Sequence, residues 1–269
     1  MASAEETVPW AVIPAAGKGT RMHPVSRFVP KEILPLGARP MIQFTLQEAL
    51  KAGIPNIAVV VSPQKPLLSE FLKDFHRQWT GPPFRLELVQ QTQPRGLADA
   101  IGCCRRLVEG GPFAILLPDN ALFSPLYCLS SLVELYWEWK RDVMGVIELG
   151  PEQSGLYGNC GRIGYQLERP GVLTIERLEG KLPGQLEVPV GQSVLRSCGR
   201  YVAAPWIFEY IDRVRPQVEG EFDEVPVYQE IIREHQATGY LIPPPLFDTG
   251  NEKGYLAANA FLFEQEQKA

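Results

Sequence analysis

The stretch "AVIPAAGKGTRM", residues 11–22, places a glycine-rich loop directly after an apolar strand. Such a loop can bring backbone N–H groups close to phosphate oxygens, so the stretch predicts a phosphate site at the end of the strand. Its Gly-Lys-Gly-Thr core, residues 17–20, occurs in two unrelated kinds of phosphate-handling enzyme. A kinase P-loop also needs a glycine five positions before Gly17, and Val12 stands there. The pattern therefore argues against a P-loop.

Four cations follow or belong to this loop. Lys18, Arg21, Arg27 and Lys31 fall within 14 residues of a chain whose net charge is -5. An arginine can donate to two phosphate oxygens at once, and a lysine adds a point charge. The cluster is typical of a triphosphate site, and the plain alternative is a glycine turn with solvated charges at its rim.

The chain from residue 8 to about 150 alternates short apolar strands with helical segments. Near-continuous apolar strands are typical of a parallel sheet that helices cover on both faces, so we predict a doubly wound α/β core there. Short strands with Gly and Pro turns follow, with helices at 205–215 and 224–236. They predict a mixed α+β region over 151–269, packed beside the core within a single domain, 1–269.

Charge and composition exclude several classes of protein. A net charge of -5 argues against a nucleic-acid binder, which would carry a basic stripe. The first residues, "MASAEETVP", have acids where a signal peptide needs basic and apolar residues, and no run approaches the roughly 18 apolar residues of a membrane span. We expect a cytoplasmic protein without a membrane partner. The five cysteines form no C-x-x-C pair, which predicts buried thiols rather than disulfides or a zinc site.

The motif G-x-G-T-R at residues 17–21, followed by Pro30-Lys31, resembles the signature of the sugar-1-phosphate nucleotidyltransferases, especially the bacterial glucose-1-phosphate uridylyltransferases. The similarity continues in "QTQPRGLADAI", "ILLPDN", "GLYG", "GRYV" and "FDTGNEKGY". It implies a Rossmann-like nucleotidyltransferase fold with a nucleotide-binding half, 8–150, and a sugar-binding half, 151–269. It also implies transfer of a uridylyl group from UTP to glucose 1-phosphate, giving UDP-glucose and pyrophosphate.

In nucleotidyl transfer the protein aligns the reactants and neutralises developing charge. Mg²⁺ prefers oxygen ligands, so the resemblance makes Asp119 and Asp248, each at the end of a predicted strand, the ligands of Mg²⁺. It implies that two catalytic residues contact the phosphates: Arg21 contacts the leaving phosphates, and Lys31 contacts the α-phosphate. A helix cap is the plain alternative for either aspartate.

The resemblance also assigns residues that bind the nucleotide. Gln91 would pair with the uracil edge, because a side-chain amide offers both a donor and an acceptor. Gly96 would let the backbone approach the base, and a plain helix-start glycine is its alternative. The loop residues expected to contact the nucleotide are Ala15, Ala16, Gly17, Gly19 and Thr20.

The sugar region departs from the family pattern, in which a glutamate holds sugar hydroxyls and the next lysine holds the sugar phosphate. The best fit places Gly180 at the glutamate and keeps Lys181, with Arg177 as the lysine substitute if the register shifts. We expect Gly158, Glu179 and Lys181 to contact the sugar, and Gly180 to loosen the choice among hexose 1-phosphates unless Glu179 or Glu176 takes its place.

Two other functions stay open on the sequence alone. One is a nucleotidyltransferase for another nucleoside triphosphate and hexose 1-phosphate, such as a thymidylyltransferase. The other is a non-catalytic nucleotide-sugar-binding relative, because Gly180 weakens one site. Retention of Arg21, Lys31, Asp119 and Asp248 favours an enzyme. The resemblance further implies a homo-oligomer, either a dimer or a tetramer.

Overall fold

A computed structural model of the protein describes residues 6–123, 128–157, 161–180 and 188–268. The strands in these ranges are β1 (Trp10–Pro14), β2 (Pro35–Leu36), β3 (Arg39–Pro40), β4 (Asn56–Val61), β5 (Arg85–Gln90), β6 (Phe113–Leu116), β7 (Asn120–Leu122), β8 (Val143–Leu149), β9 (Ile163–Arg169), β10 (Val172–Leu178), β11 (Val194–Ala203), β12 (Ala237–Leu241) and β13 (Leu246–Asp248). The α-helices are α1 (Met41–Lys51), α2 (Pro66–Gln78), α3 (Leu97–Cys103), α4 (Arg105–Val108), α5 (Cys128–Trp139), α6 (Pro151–Ser154), α7 (Ile207–Val214), α8 (Val225–His235) and α9 (Glu252–Glu266).

Strands from both parts of the chain share one nine-stranded sheet, in the order β5-β4-β1-β6-β11-β8-β12-β10-β9. The first four strands in this order pair in parallel, and β8 pairs in parallel with β12. Strand β11 is antiparallel to both of its neighbours, β6 and β8. The strands predicted for residues 8–150 thus run in one direction, but a strand from the second half separates β6 from β8.

Helices cover both faces of this sheet, which confirms the predicted doubly wound α/β fold. Alternate residues of β1 point to opposite faces, so Ile13 packs in one core and Val12 in the other. The first core includes Leu46 of α1, Leu72 of α2 and Leu132 of α5, and the second includes residues of α3, α7 and α8. The burial of β1 on both faces explains its continuous apolar sequence.

The predicted strand that runs to Asp248 is divided into two separate strands. The prolines at 243–245 have no N–H to donate to a strand ladder, so they interrupt the pairing after β12. Strand β13 then pairs with β7 in a two-stranded antiparallel ribbon outside the main sheet. In this ribbon Asp248 lies opposite Asn120, the residue that follows Asp119. The ribbon therefore brings the two predicted metal ligands together.

The arginine of "GRYV" is part of the core rather than of the cleft. Arg200 is buried and donates three hydrogen bonds to the Glu48 carboxylate, at 2.8 to 3.1 Å. Its Nη1 also donates to the Leu117 carbonyl, at 3.1 Å. This buried ion pair ties β11 to α1.

The predicted burial of the cysteines holds for Cys104, Cys128 and Cys198, but it is wrong for Cys103, whose side chain is exposed near the end of α3. Cys160 lies outside the described residues. In the portion of the chain that the structure describes, every helix is too short or too polar to cross a membrane.

Candidate active site

A cleft of about 780 Å³ lies beyond the carboxyl ends of β1 and β6. Residues from both halves of the chain line it. Two of the predicted sugar residues, Gly158 and Lys181, lie outside the described residues, and Ala15 is buried behind the lining. The predicted site residues that line the cleft are Ala16, Gly17, Gly19, Thr20, Arg21, Lys31, Gln91, Gly96, Asp119, Glu179 and Asp248.

The glycine loop leaves β1 at Pro14 and turns sharply at Gly19, whose φ is 69°. Only glycine adopts this left-handed conformation without strain from a Cβ atom. The Ser26 hydroxyl donates to the Gly19 carbonyl at 2.7 Å and fixes the turn. A short 3-10 helix, Thr20–Met22, follows the loop. A P-loop leads into an α-helix, so this geometry excludes the P-loop interpretation.

A buried ion pair supports the loop from below. Lys65 Nζ donates to both carboxylate oxygens of Glu32 and to the Ala15 carbonyl, each at 2.9 Å. Burial lowers the pKa of Lys65, and the charge of Glu32 opposes part of that shift. The Ala15 carbonyl is therefore committed to holding the loop in place.

Two cations and two carboxylates lie close together in the cleft. Lys31 Nζ lies 2.5 Å from Asp119 Oδ2, and Arg21 Nη2 lies 3.9 Å from the same oxygen. Arg21 Nη1 lies 3.5 Å from Asp248 Oδ2. Burial opposes the charge of Asp119, but Lys31 and Arg21 hold its pKa well below its usual range. Burial also acts to lower the pKa of Lys31, yet Asp119 outweighs it and the pKa is raised.

Residues next to Asp248 shape the space between the carboxylates. Thr249 donates its backbone N–H and its hydroxyl to the Asp119 carbonyl, at 2.8 and 2.9 Å. Gly250 donates its N–H to Asp248 Oδ1 at 3.0 Å. A Cβ atom on Gly250 would lie 2.7 Å from Asp119 Oδ2 and 3.0 Å from Asp248 Oδ1. Both carboxylates thus face one space that a side chain would fill, and two oxygen ligands there fit Mg²⁺.

A second group of residues builds a pocket at the start of α3. Gln91 Nε2 donates to the Gly96 carbonyl at 3.2 Å and to Asp99 Oδ2 at 2.8 Å. Arg215 Nη1 donates to the other oxygen of Asp99 at 2.8 Å. Gly96 has a φ of 115°, and a Cβ atom there would collide with the Phe222 backbone. The position therefore requires glycine, and the Gln91 amide is held in one orientation.

The wall of the cleft formed by residues after 160 holds the expected sugar contacts. Glu179 directly follows β10 and lines the cleft, whereas Gly180 is absent from the lining. The Glu179 N–H donates to the Arg162 carbonyl at 2.9 Å, which fixes the chain where the strand ends. The structure thus brings Glu179, and not Gly180, into the lining of the cleft.

Among the residues that shape the site, Thr249, Gly250 and Arg196 had no role in the sequence analysis. Thr249 and Gly250 lie within the quoted motif "FDTGNEKGY", so the motif signalled them without giving their function. Arg196 lines the cleft from β11, where its sequence context is that of an ordinary strand. The sequence did contain one signal for Arg196, because a charged residue is unusual within a strand that is buried on both faces.

Comparisons with known proteins identify relatives of the chain. Residues 10–265 match a family model described as "Nucleotidyl transferase". The UTP–glucose-1-phosphate uridylyltransferase of Mycoplasma genitalium is 30% identical over 93% of this chain and 90% of its own length. That of Pseudomonas aeruginosa is 27% identical over 96% of both chains. The crystal structure of a UDP-glucose pyrophosphorylase complexed with UDP-glucose has a TM-score of 0.83 and 26% identity, covering 96% of this chain and 100% of the other.

Proposed function

The chain belongs to the nucleotidyl transferase family, and we propose that it transfers a uridylyl group from UTP to glucose 1-phosphate, releasing pyrophosphate and UDP-glucose. The observation that carries the proposal is the cluster of Arg21, Lys31, Asp119 and Asp248 at the glycine loop. Residues 8–150 would bind UTP and residues 151–269 the sugar. Two full-length uridylyltransferase relatives support the choice of reaction.

The phosphate oxygen of glucose 1-phosphate attacks the α-phosphorus of UTP, and the bond to pyrophosphate breaks. The protein holds these groups in line and balances the charge that develops on them. Lys31 binds the α-phosphate and Arg21 the leaving phosphates, while the backbone of Gly17, Gly19 and Thr20 approaches the triphosphate. Asp119 and Asp248 would hold Mg²⁺, which when bound neutralises charge on the phosphates.

The orientation of Gln91 supports a uracil base. The Asp99 carboxylate can only accept hydrogen bonds, so the Gln91 NH₂ group faces it and the carbonyl Oε1 is the atom offered to a ligand. Uracil presents an N3–H donor to that oxygen, whereas cytosine presents an unprotonated N3 acceptor. The Gly96 backbone lies beside the base because no side chain intervenes. The site therefore favours UTP over CTP.

Glu179 is our candidate for the sugar hydroxyls. Its Oε1 accepts from Arg177 Nη2 at 3.3 Å, and the carboxylate has further lone pairs that can accept from sugar hydroxyls. Gly158 and Lys181 remain proposed sugar contacts. This assignment would supply the hydroxyl contact that Gly180 cannot make.

A matrix of substrates tests the reaction and its specificity together. We expect pyrophosphate release to be fastest with UTP and glucose 1-phosphate, and kcat/KM for UTP to exceed that for CTP by roughly 10²-fold or more. The matrix should include dTTP and several hexose 1-phosphates, with pyrophosphate measured by a coupled assay. An absence of turnover with every pair, in a protein that still binds UDP-glucose, would favour the non-catalytic relative.

Gly250→Ala tests the space between the carboxylates. The added methyl group would lie 2.7 Å from Asp119 Oδ2, so the carboxylates must move apart. The backbone of Gly250 is not in the left-handed region, so alanine adds bulk without backbone strain. We expect kcat to fall by roughly 10²-fold at an unchanged melting temperature, because displacements near 1 Å are costly in a positioned site. Gly110→Ala, where a Cβ atom meets open space, is the matched control. Equal activity of the two variants would contradict the assignment.

A further inference from the structure

Arg196 is a buried cation on the wall of the cleft that faces the glycine loop. Its side chain is 7% exposed, and its guanidinium lies 4.8 Å from the centre of the Tyr157 ring. Nε donates to the Ser197 carbonyl at 2.9 Å, and Nη2 donates to Asn120 Oδ1 at 3.0 Å. Nη1 is buried and has no hydrogen-bond partner in the part of the chain that the structure describes.

Arg196 has no hydrogen-bonded counter-charge among the described residues. Both of its acceptors are neutral, so no carboxylate is hydrogen-bonded to it among the described residues. A buried charge without a counter-charge is costly, and an unsatisfied donor adds to that cost. A guanidinium that lies in a cleft under these conditions is arranged for an anionic ligand, which would supply the missing charge and the missing acceptor.

The position of Arg196 indicates which anionic ligand it would bind. Asn120 accepts from Arg196 and its Nδ2 lies 3.4 Å from Asp119 Oδ1, so one side chain separates the guanidinium from a proposed metal ligand. The other charged groups that line the cleft, among the described residues after 160, are acids: Glu179, Glu221, Asp223, Glu224 and Asp248. Arg196 is therefore the one cation that these described residues offer to a second anionic substrate.

We propose that Arg196 binds the phosphate of the sugar 1-phosphate through Nη1, an inference that rests on the proposed function. The attacking oxygen belongs to this phosphate and must reach the α-phosphorus, which lies at Lys31 and Asp119 in the proposed reaction. Two phosphate groups repel each other at that distance, and the guanidinium offsets the repulsion.

Binding of the product separates this contact from the rest of the site. Arg196→Gln should weaken UDP-glucose binding by roughly 10- to 100-fold in isothermal titration, the range for one hydrogen bond to a charged group. UMP binding should change by less than about twofold, because UMP lacks the sugar phosphate. In the forward reaction KM for glucose 1-phosphate should rise and KM for UTP should not. Arg169→Gln removes an exposed arginine of β9, so it controls for the loss of one charge.

A second variant and a second ligand complete the test. Arg196→Lys keeps the charge without the forked geometry and should weaken UDP-glucose binding by about threefold to tenfold. This variant tests the proposal if Arg196→Gln does not fold. Unchanged UDP-glucose affinity in a folded Arg196 variant overturns the assignment. UDP-glucuronic acid carries a carboxylate on its sugar. If the Arg196 variants lose affinity for UDP-glucuronic acid alone, the guanidinium faces the sugar and the assignment is overturned. A wild type that binds neither UDP-glucose nor UMP overturns the proposed function and this inference with it.

Discussion

Replacing Asp119 or Asp248 by asparagine should leave a folded protein that has lost most of its activity, with kcat lower by roughly 10²–10³-fold. Both carboxylates face the space above Gly250, and an amide there no longer supplies the negative charge that holds Mg²⁺. Because the two side chains serve one ion, the double variant should be little worse than the more damaged single variant. Pyrophosphate release at saturating UTP and increasing Mg²⁺ measures the effect.

The two substitutions should differ in their effect on the unliganded protein. Asp119 is the partner of the buried Lys31, so Asp119→Asn leaves that ammonium without its nearest counter-charge. Asp248 contacts the more exposed Arg21, at the longer distance of 3.5 Å. We therefore expect Asp119→Asn to lower the melting temperature more than Asp248→Asn.

Asp74→Asn, at an exposed carboxylate of α2, is the matched control and should retain wild-type turnover. If Asp248→Asn turns over at near the wild-type rate at saturating Mg²⁺, the proposed metal site is wrong.

The fold could be predicted from the sequence wherever the determining contacts are local. The spacing of apolar residues within strand β1 and within helix α1 indicates which of their residues are buried. The positions of these elements and the α/β class therefore followed from periodicity. The partner of a strand depends on residues far away in the chain. Nothing within β11 indicates that it enters the sheet between β6 and β8, because that choice depends on which sheet positions the rest of the chain leaves unfilled.

The site shows the same division between local and distant determinants. The turn at Gly19 and the helix start at Gly96 require glycine for reasons of backbone conformation, and the glycines in their motifs indicate this requirement. The meeting of Asp119 with Asp248 depends instead on the pairing of β7 with β13. Arg196 became a candidate only when the structure showed a buried guanidinium with an unpartnered Nη1, among the described residues, in the cleft.

Lys31→Met should lower kcat by roughly 10²-fold or more, the scale of one lost electrostatic donor at a reacting group. Lys31 is held 2.5 Å from Asp119, and Asp119 keeps its pKa raised against the effect of burial. The ammonium is therefore fixed in place and charged across the neutral range before substrate binds. Methionine preserves most of the volume of the side chain and removes the charge together with the hydrogen bond to Asp119. Single-turnover measurements with UTP and glucose 1-phosphate would isolate this effect from product release.

The pH profile and a second loop cation make the test specific. Because Asp119 raises the pKa of Lys31 above that of an ordinary lysine, we expect its ammonium to stay charged between pH 6 and 9, and the profiles of wild type and Lys31→Met should run parallel there. Lys18→Met removes an exposed cation of the same loop and should cost less than about tenfold, since a solvated charge acts through a higher dielectric. The reverse result, with Lys18 essential and Lys31 dispensable, would mean that the α-phosphate lies over the loop itself rather than beside Asp119. The in-line arrangement proposed for the two substrates would then have to be abandoned, because it places the α-phosphorus at Lys31 and Asp119.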